Sequence, residues 1–143
     1  MSTRLKDKKE KLLKILESLA EESKNGIPIL VEGKKDVNTL RNLGIKGIII
    51  TIKTKGKSFL NLISEIKQLE ASKVILLLDF DKRGKEDTKC FQQNLEHNKI
   101  KYNLTYWREL IALTSKKIQY IESLDAYLFN LDKKLLTTRR INS

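Results

Sequence analysis

Hydrophobic positions along the chain fall into two signatures, short aliphatic runs and stripes at helical spacing. The runs are Ile29-Leu30-Val31, Ile48–Ile52 and Val74–Leu78. Val74–Leu78 has no polar face and predicts a strand buried on both sides, as in the interior of a parallel sheet; Ile29-Leu30-Val31 predicts a short buried strand and Ile48–Ile52 a further strand. Helical stripes separate them. Residues 4–23 place Leu5, Leu12, Ile15, Leu16 and Leu19 on one side, and Lys24-Asn25-Gly26 closes that helix. Asp36 is positioned to cap a helix to about Leu43, with Val37, Leu40 and Leu43 inward. Ser58 caps another to about Gln68, its apolar face being Leu60, Leu62, Ile63, Ile66 and Leu69. Lys85–Asn98 predicts the next helix, carrying Cys90, Phe91 and Leu95. Residues 101–106 alternate like a fourth, more exposed strand near a sheet edge. Three helical segments follow, Trp107–Leu113, Ile118–Ile121 and Ser123–Leu136, and then a tail, Thr137–Ser143, expected to fray.

Strand–helix–strand alternation with long crossovers predicts right-handed βαβ units. The expected fold is a three-layer α/β/α sandwich with a four-stranded, mainly parallel, Rossmann-like sheet and helices at both termini. The expected organisation is an N-terminal amphipathic helix over residues 1–26, a core domain over 27–113 and a C-terminal helical extension with a basic tail over 114–143. All three are expected to pack as one domain, which 143 residues can fill with a single core.

Charge narrows the class of partner. Twenty-nine basic residues against 18 acidic give a net charge of +11, which points to a polyanion, nucleic acid ahead of a membrane surface. The competing reading is a lysine-rich surface that serves solubility alone. No apolar run approaches the roughly 18–20 residues of a membrane span, and the N-terminus lacks a secretory apolar region. A single cysteine rules out an internal disulfide and suggests a reducing, cytoplasmic setting; a single histidine makes a zinc site implausible. Cys90 is expected as a small core residue and His97 as a surface residue.

Parallel strands present their carboxyl ends on one edge, where open α/β sheets bind ligands. Glu32 follows the first run, Asp79 and Asp81 the third, so these acids share that edge. Crowded carboxylates repel, by about 4 kcal/mol for two unit charges about 4 Å apart at an effective dielectric near 20. Protonation or a bound cation relieves them. An all-oxygen cluster favours a hard ion, Mg²⁺ or Mn²⁺, and metal-assisted attack on a phosphodiester or transfer of a phosphoryl group. The competing reading of Asp79 and Asp81 is a strand-to-helix turn with a helix cap. Asp36 is a secondary candidate ligand; Glu86 and Asp87 are ambiguous, because acids favour a first helical turn anyway.

Lys34, Lys35, Lys53, Lys55, Lys57, Lys82, Arg83 and Lys85 all lie in the loops of this edge, a basic rim suited to phosphates. Other motifs fail. Gly56-Lys57-Ser58 resembles the end of a P-loop, but Thr51 stands where the first glycine is required. There is no dinucleotide-binding glycine motif and no nucleophile elbow. Trp107 and the tyrosines Tyr102, Tyr106, Tyr120 and Tyr127 fit core or rim positions better than base stacking.

V-E-G-K-K-D (Val31–Asp36) and L-D-F-D-K-R-G (Leu78–Gly84) resemble the two motifs of a Toprim domain. That metal-binding fold is shared by topoisomerases, bacterial-type primases, overcoming-lysogenization-defect nucleases and the 5S ribosomal RNA maturase. The resemblance spans about residues 27–113. It implies Glu32 as general acid/base or metal-linked residue, with Asp79 and Asp81 holding Mg²⁺. The single-glycine spacing looks closer to the primase and maturase branches. Without the extra domains of topoisomerases and primases, the chain looks like the small stand-alone Toprim proteins of archaea and some bacteria. One departure is Lys85, where maturase-like sequences tend to carry an acid.

Two functions follow as expectations. The first is a Mg²⁺-dependent nuclease, a phosphodiester hydrolase acting on structured RNA, favoured over DNA. The second is a non-catalytic nucleic-acid-binding module within a larger complex. A homodimer or a protein partner is compatible with either. A haloacid-dehalogenase phosphatase also opens on hydrophobic-D-x-D, but it needs that motif on its first strand and Thr or Val where Arg83 stands.

Overall fold

Ile29-Leu30-Val31 and Val74–Leu78 form the middle of a sheet, the Ile48–Ile52 run forms one edge with only Ile50 buried, and the helical stripes cover the two faces. The computed structural model describes residues 2–53, 58–114 and 117–142. In chain order the elements are α1 (Ser2–Lys24), β1 (Ile29–Val31), α2 (Lys34–Asn42), β2 (Ile49–Thr51), α3 (Phe59–Gln68) and β3 (Val74–Leu76). They continue with α4 (Lys82–His97), β4 (Tyr102–Asn103), α5 (Thr105–Thr114), a 3₁₀ turn at Ile121–Ser123 and α6 (Leu124–Asn142). The four strands are parallel in the order β2-β1-β3-β4, with Ile29 opposite Ile75 and Leu30 opposite Leu76. The fourth strand is at the edge, as its alternation predicts.

Alternation along the strands divides the core into two layers. Ile29, Val31, Ile75 and Leu77 face Leu12, Leu16 and Leu19 of α1, Leu40 of α2, Leu110 of α5 and Leu131 of α6. Leu30, Ile50, Val74, Leu76 and Leu78 face Leu62, Ile63 and Ile66 of α3 and Phe91 and Leu95 of α4. The result is the three-layer α/β/α sandwich. Among the described residues, no helix is long and apolar enough to cross a membrane.

Several boundaries move for identifiable reasons. Helix α4 starts at Lys82 rather than Lys85, because Asp81 caps it. Its buried face runs through Gly84, Thr88, Phe91 and Leu95; Cys90 falls off that stripe and is exposed, correcting its expected core position. On α3, Leu60 and Leu69 likewise sit off the buried stripe of Leu62, Ile63 and Ile66. Gly33, not Asp36, is the N-cap of α2; Asp36 lies one turn in and accepts the Gly33 N–H at 3.0 Å. The segment expected as a helix at Ile118–Ile121 instead leaves Tyr120 extended and turns at Ile121–Ser123. The tail expected to fray continues α6 to Asn142, since neither glycine nor proline follows Ser123.

Candidate metal and phosphate site

The strand order places the site. From β1 the chain crosses to β2 on one side and later to β3 on the other, so the connections diverge between β1 and β3. Such a switch point opens a crevice at the carboxyl ends of the strands. Glu32 leaves β1 and Asp79 leaves the extension of β3 at this crevice. Pairing continues past the short strands, with Leu77 N–H donating to Leu30 C=O at 2.9 Å. The two acids are thereby fixed on neighbouring chains.

Both are buried, Glu32 to 5% exposure and Asp79 to 9%. Lys53, just beyond β2, reaches across to Glu32, its Nζ 3.0 Å from Oε2, while its backbone N–H donates to the Glu32 carbonyl at 2.9 Å. Glu32 Oε1 is buried without a hydrogen-bond partner. Asp79 Oδ1 accepts the Ile121 N–H at 3.0 Å. Burial raises the Asp79 pKa to about 7, the Ile121 amide opposes the rise, and the carboxylates of Asp36 and Glu32 add to it, Glu32 also as a side-chain hydrogen-bond partner of the protonated Asp79 carboxyl. Asp36, 5% exposed, is also raised, first by burial, then by Glu32 and Glu122, against the opposing Gly33 and Glu122 amides. Three acids therefore share one field, and the Lys53 ion pair does not offset it.

Asp81 behaves differently. Its Oδ1 accepts the Gly84 N–H at 2.7 Å as the N-cap of α4. Gly84 packs directly beneath Asp79: a Cβ there would lie 2.1 Å from the Asp79 carbonyl oxygen. The glycine of D-x-D-x-x-G thus lets α4 close against the backbone that carries Asp79. Among the described residues no three acidic, histidine or cysteine side chains converge as a ready-made ligand set. The donor chemistry nonetheless fits a hard divalent cation. An unpartnered buried carboxylate oxygen and an acid driven toward protonation are what a cation would relieve.

The basic residues fall into groups. Lys34 and Lys35 are exposed in the first turn of α2. Arg83, exposed in the first turn of α4, follows the Asp79–Asp81 turn, and its charge opposes the rise that Glu32 gives the Lys53 pKa. Lys82 and Lys85 line a cleft of about 430 Å³ with Asp81, Glu86 and Lys89, closed on the far side by Ile111, Thr114 and Gln119. Lys55 and Lys57 lie outside the described residues. Sequence reasoning missed the Ile121 amide and Glu122, because the irregular segment that brings them here has no periodicity to read.

A short parallel α/β sheet carrying buried acids at its switch point defines the class, and comparison with known proteins identifies it. The Toprim domain model matches residues 26–104. The chain belongs to the Toprim family, whose domain is a nucleic-acid-processing, metal-binding fold. The chain is similar to archaeal proteins: a UPF0292 protein of Methanocaldococcus jannaschii is 39% identical, the match covering 83% of this chain and 91% of that protein. A UPF0292 protein of Methanosarcina acetivorans is 34% identical over 87% of this chain and 85% of that protein. Among solved structures, a putative protein from Aquifex aeolicus superposes with a TM-score of 0.65 at 25% identity, covering 77% of this chain and 94% of that one.

Proposed function

We propose that the protein is a Mg²⁺-dependent nuclease that cleaves phosphodiester bonds, with structured RNA as the favoured substrate and Mn²⁺ as a working substitute. The observation that supports this most is the pairing of buried Glu32 and Asp79 at the switch point, one oxygen unpartnered, inside a basic rim. Glu32 and Asp79 would hold the ion, with Asp36 behind them. When bound, Mg²⁺ supplies Lewis-acid polarisation of the phosphate and a more acidic bound water. Lys53 and Arg83, beside the acids, orient the phosphate and offset its charge, while Lys34, Lys35, Lys82 and Lys85 hold neighbouring phosphates. The burial of the acids makes each of these electrostatic interactions stronger than in water.

A second reading has its own support. Asp81 is engaged as a helix cap, and the acids do not converge on three ligands. On that reading the site binds nucleic acid and a partner supplies catalysis. Incubating labelled RNAs and DNAs with and without Mn²⁺ separates the two. The nuclease reading expects cleavage that needs the metal and falls by roughly 10²–10³-fold or more in Asp79→Asn and Glu32→Gln, the scale of losing a group that stabilises the transition state. Undiminished cleavage in both variants would overturn it. Tight, salt-sensitive binding with no turnover under any metal would favour the binding module.

A further inference from the structure

Helix α1 buries one side and turns a row of cations outward on another, Arg4, Lys8, Lys11 and Lys14, about one per turn. Together with α5 they wall a groove of about 1090 Å³, whose opposite side carries Thr105, Tyr106 and Glu109. Four cations face two anions, Asp7 and Glu109, across this lining. Arg4, Lys11 and Lys14 are exposed, so their charges are available to a partner. Lys8 is half-buried, and burial first, then the charges of Lys117, Arg4 and Lys134, depress its pKa. Like charges gathered this closely cost the free protein energy that a polyanion would return.

The groove also has a direction. Ala112 and Leu113 at the end of α5 line it, and beyond them Lys117 donates its N–H to the Thr114 carbonyl at 2.9 Å, on the segment whose Gln119 carbonyl accepts the Phe80 N–H at 2.7 Å and whose Ile121 N–H holds Asp79. The chain that leaves this end of the groove therefore leads, through Lys117, to the carboxyl edge of the sheet. Two other occupants fit less well. A bilayer would need the apolar stripe of α1, but Leu12, Leu16 and Leu19 are 0–5% exposed in the core. A small uncharged ligand would leave the four cations of the lining unmatched. From Arg4 to Lys14 the helix rises about 15 Å, the length of about four nucleotides of one strand at roughly 3.4 Å each.

We propose that the groove between α1 and α5 is a nucleic-acid backbone track that leads phosphates past Lys8 and Lys117 to the Glu32–Asp79 edge. This rests on the nucleic-acid reading of the carboxyl edge but not on catalysis there. The test is fluorescence anisotropy of a labelled RNA hairpin in EDTA, titrated at several salt concentrations. The triple variant Arg4→Gln, Lys11→Gln, Lys14→Gln changes only exposed side chains and is checked for folding by circular dichroism.

It should bind at least tenfold more weakly, and the slope of log affinity against log salt should fall by about 2–3, since each lost phosphate contact contributes about 0.7–0.9. Glu109→Lys adds a cation to the opposite wall and should tighten binding several-fold; it keeps the question answerable if the triple variant folds poorly. Unchanged affinity and slope in both variants overturn the track while leaving the carboxyl-edge reading intact. Failure of the unmodified protein to bind any nucleic acid overturns both. A concentration-dependent dimer lost in the triple variant, with RNA binding unaltered, overturns the track in favour of a self-contact.

Discussion

The two ends of the same sheet treat their acids in opposite ways, a half-buried one at the amino end and buried ones at the carboxyl end. At the amino end, Glu22 of α1 lies between Lys73, 2.6 Å from its Oε1, and the hydroxyl of Tyr106, which donates to it. Burial alone would raise its pKa, but Lys73 and Tyr106 outweigh burial and lower it. At the carboxyl end Asp79 has one amide donor, and burial with the charges of Asp36 and Glu32 raises its pKa to about 7. An acid kept for architecture is matched by cations and donors. Acids held in mutual excess, sharing only Lys53, the Ile121 amide and a proton, keep a charge imbalance that a divalent cation would relieve. Each end also has a glycine clamp. A Cβ on Gly47 would lie 2.3 Å from the Ser23 carbonyl oxygen, and one on Gly84 would lie 2.1 Å from that of Asp79.

The clamps give the largest expected effect. Gly47→Ala and Gly84→Ala should each lower stability by about 1–3 kcal/mol in urea unfolding, the cost of overpacking against backbone. Only Gly84→Ala should also weaken divalent-cation binding, because it displaces the chain that carries Asp79. Equal loss of cation binding in both would erase the distinction between the two ends.

Removing the charge of each acid should have effects of opposite sign. Asp79 keeps its proton in the folded protein at pH values where the unfolded chain has lost it. Its contribution to stability is therefore present in acid and is lost as pH rises from about 4 to about 7, by at most about 4 kcal/mol. Asp79→Asn retains the acceptor for Ile121 and should raise the melting temperature of the cation-free protein at pH 8, on the order of 2 kcal/mol of gain. Glu22 is the reverse case. Its lowered pKa adds stability above the unfolded value of 4.5, which is lost as pH falls through the folded value. Glu22→Gln should cost about 1 kcal/mol at pH 7, as expected for a partly exposed, hydrogen-bonded ion pair. Thermal melts of both variants across pH 4–8 check these signs; two shifts of the same sign would contradict the account.

A smaller effect concerns Asp81. Asp81→Ala should cost about 1 kcal/mol through loss of the α4 cap, and Asp81→Asn much less, since asparagine caps nearly as well. Equal and large losses of cation binding in both would assign Asp81 to the ion rather than to the helix.

Much of this was legible in the sequence because burial on both faces leaves a strong signal. Ile29-Leu30-Val31 and Val74–Leu78 could only be interior strands, and the acids that follow them had to share an edge. That β1 and β3 are neighbours, and so bring Glu32 to Asp79, depends on strand order, which local pattern does not encode. Asp36 was found as a secondary candidate ligand, but was placed as the helix cap rather than one turn inside the helix that Gly33 caps. The Ile121 amide, Glu122 and the α1–α5 groove were missed because they arise from tertiary placement. Residues 117–123 have no period, and α1's lysines look like an ordinary solvated face until α5 is set against them.

The central claim is that the acids of the carboxyl edge are held for a divalent cation. Calorimetric titration of the protein with Mg²⁺ at pH 8, beside Asp79→Asn and Glu22→Gln, tests it most directly. The account predicts saturable binding to the unmodified protein and to Glu22→Gln, weakened at least tenfold in Asp79→Asn. Equal binding by all three proteins, or none by the unmodified one, would contradict it.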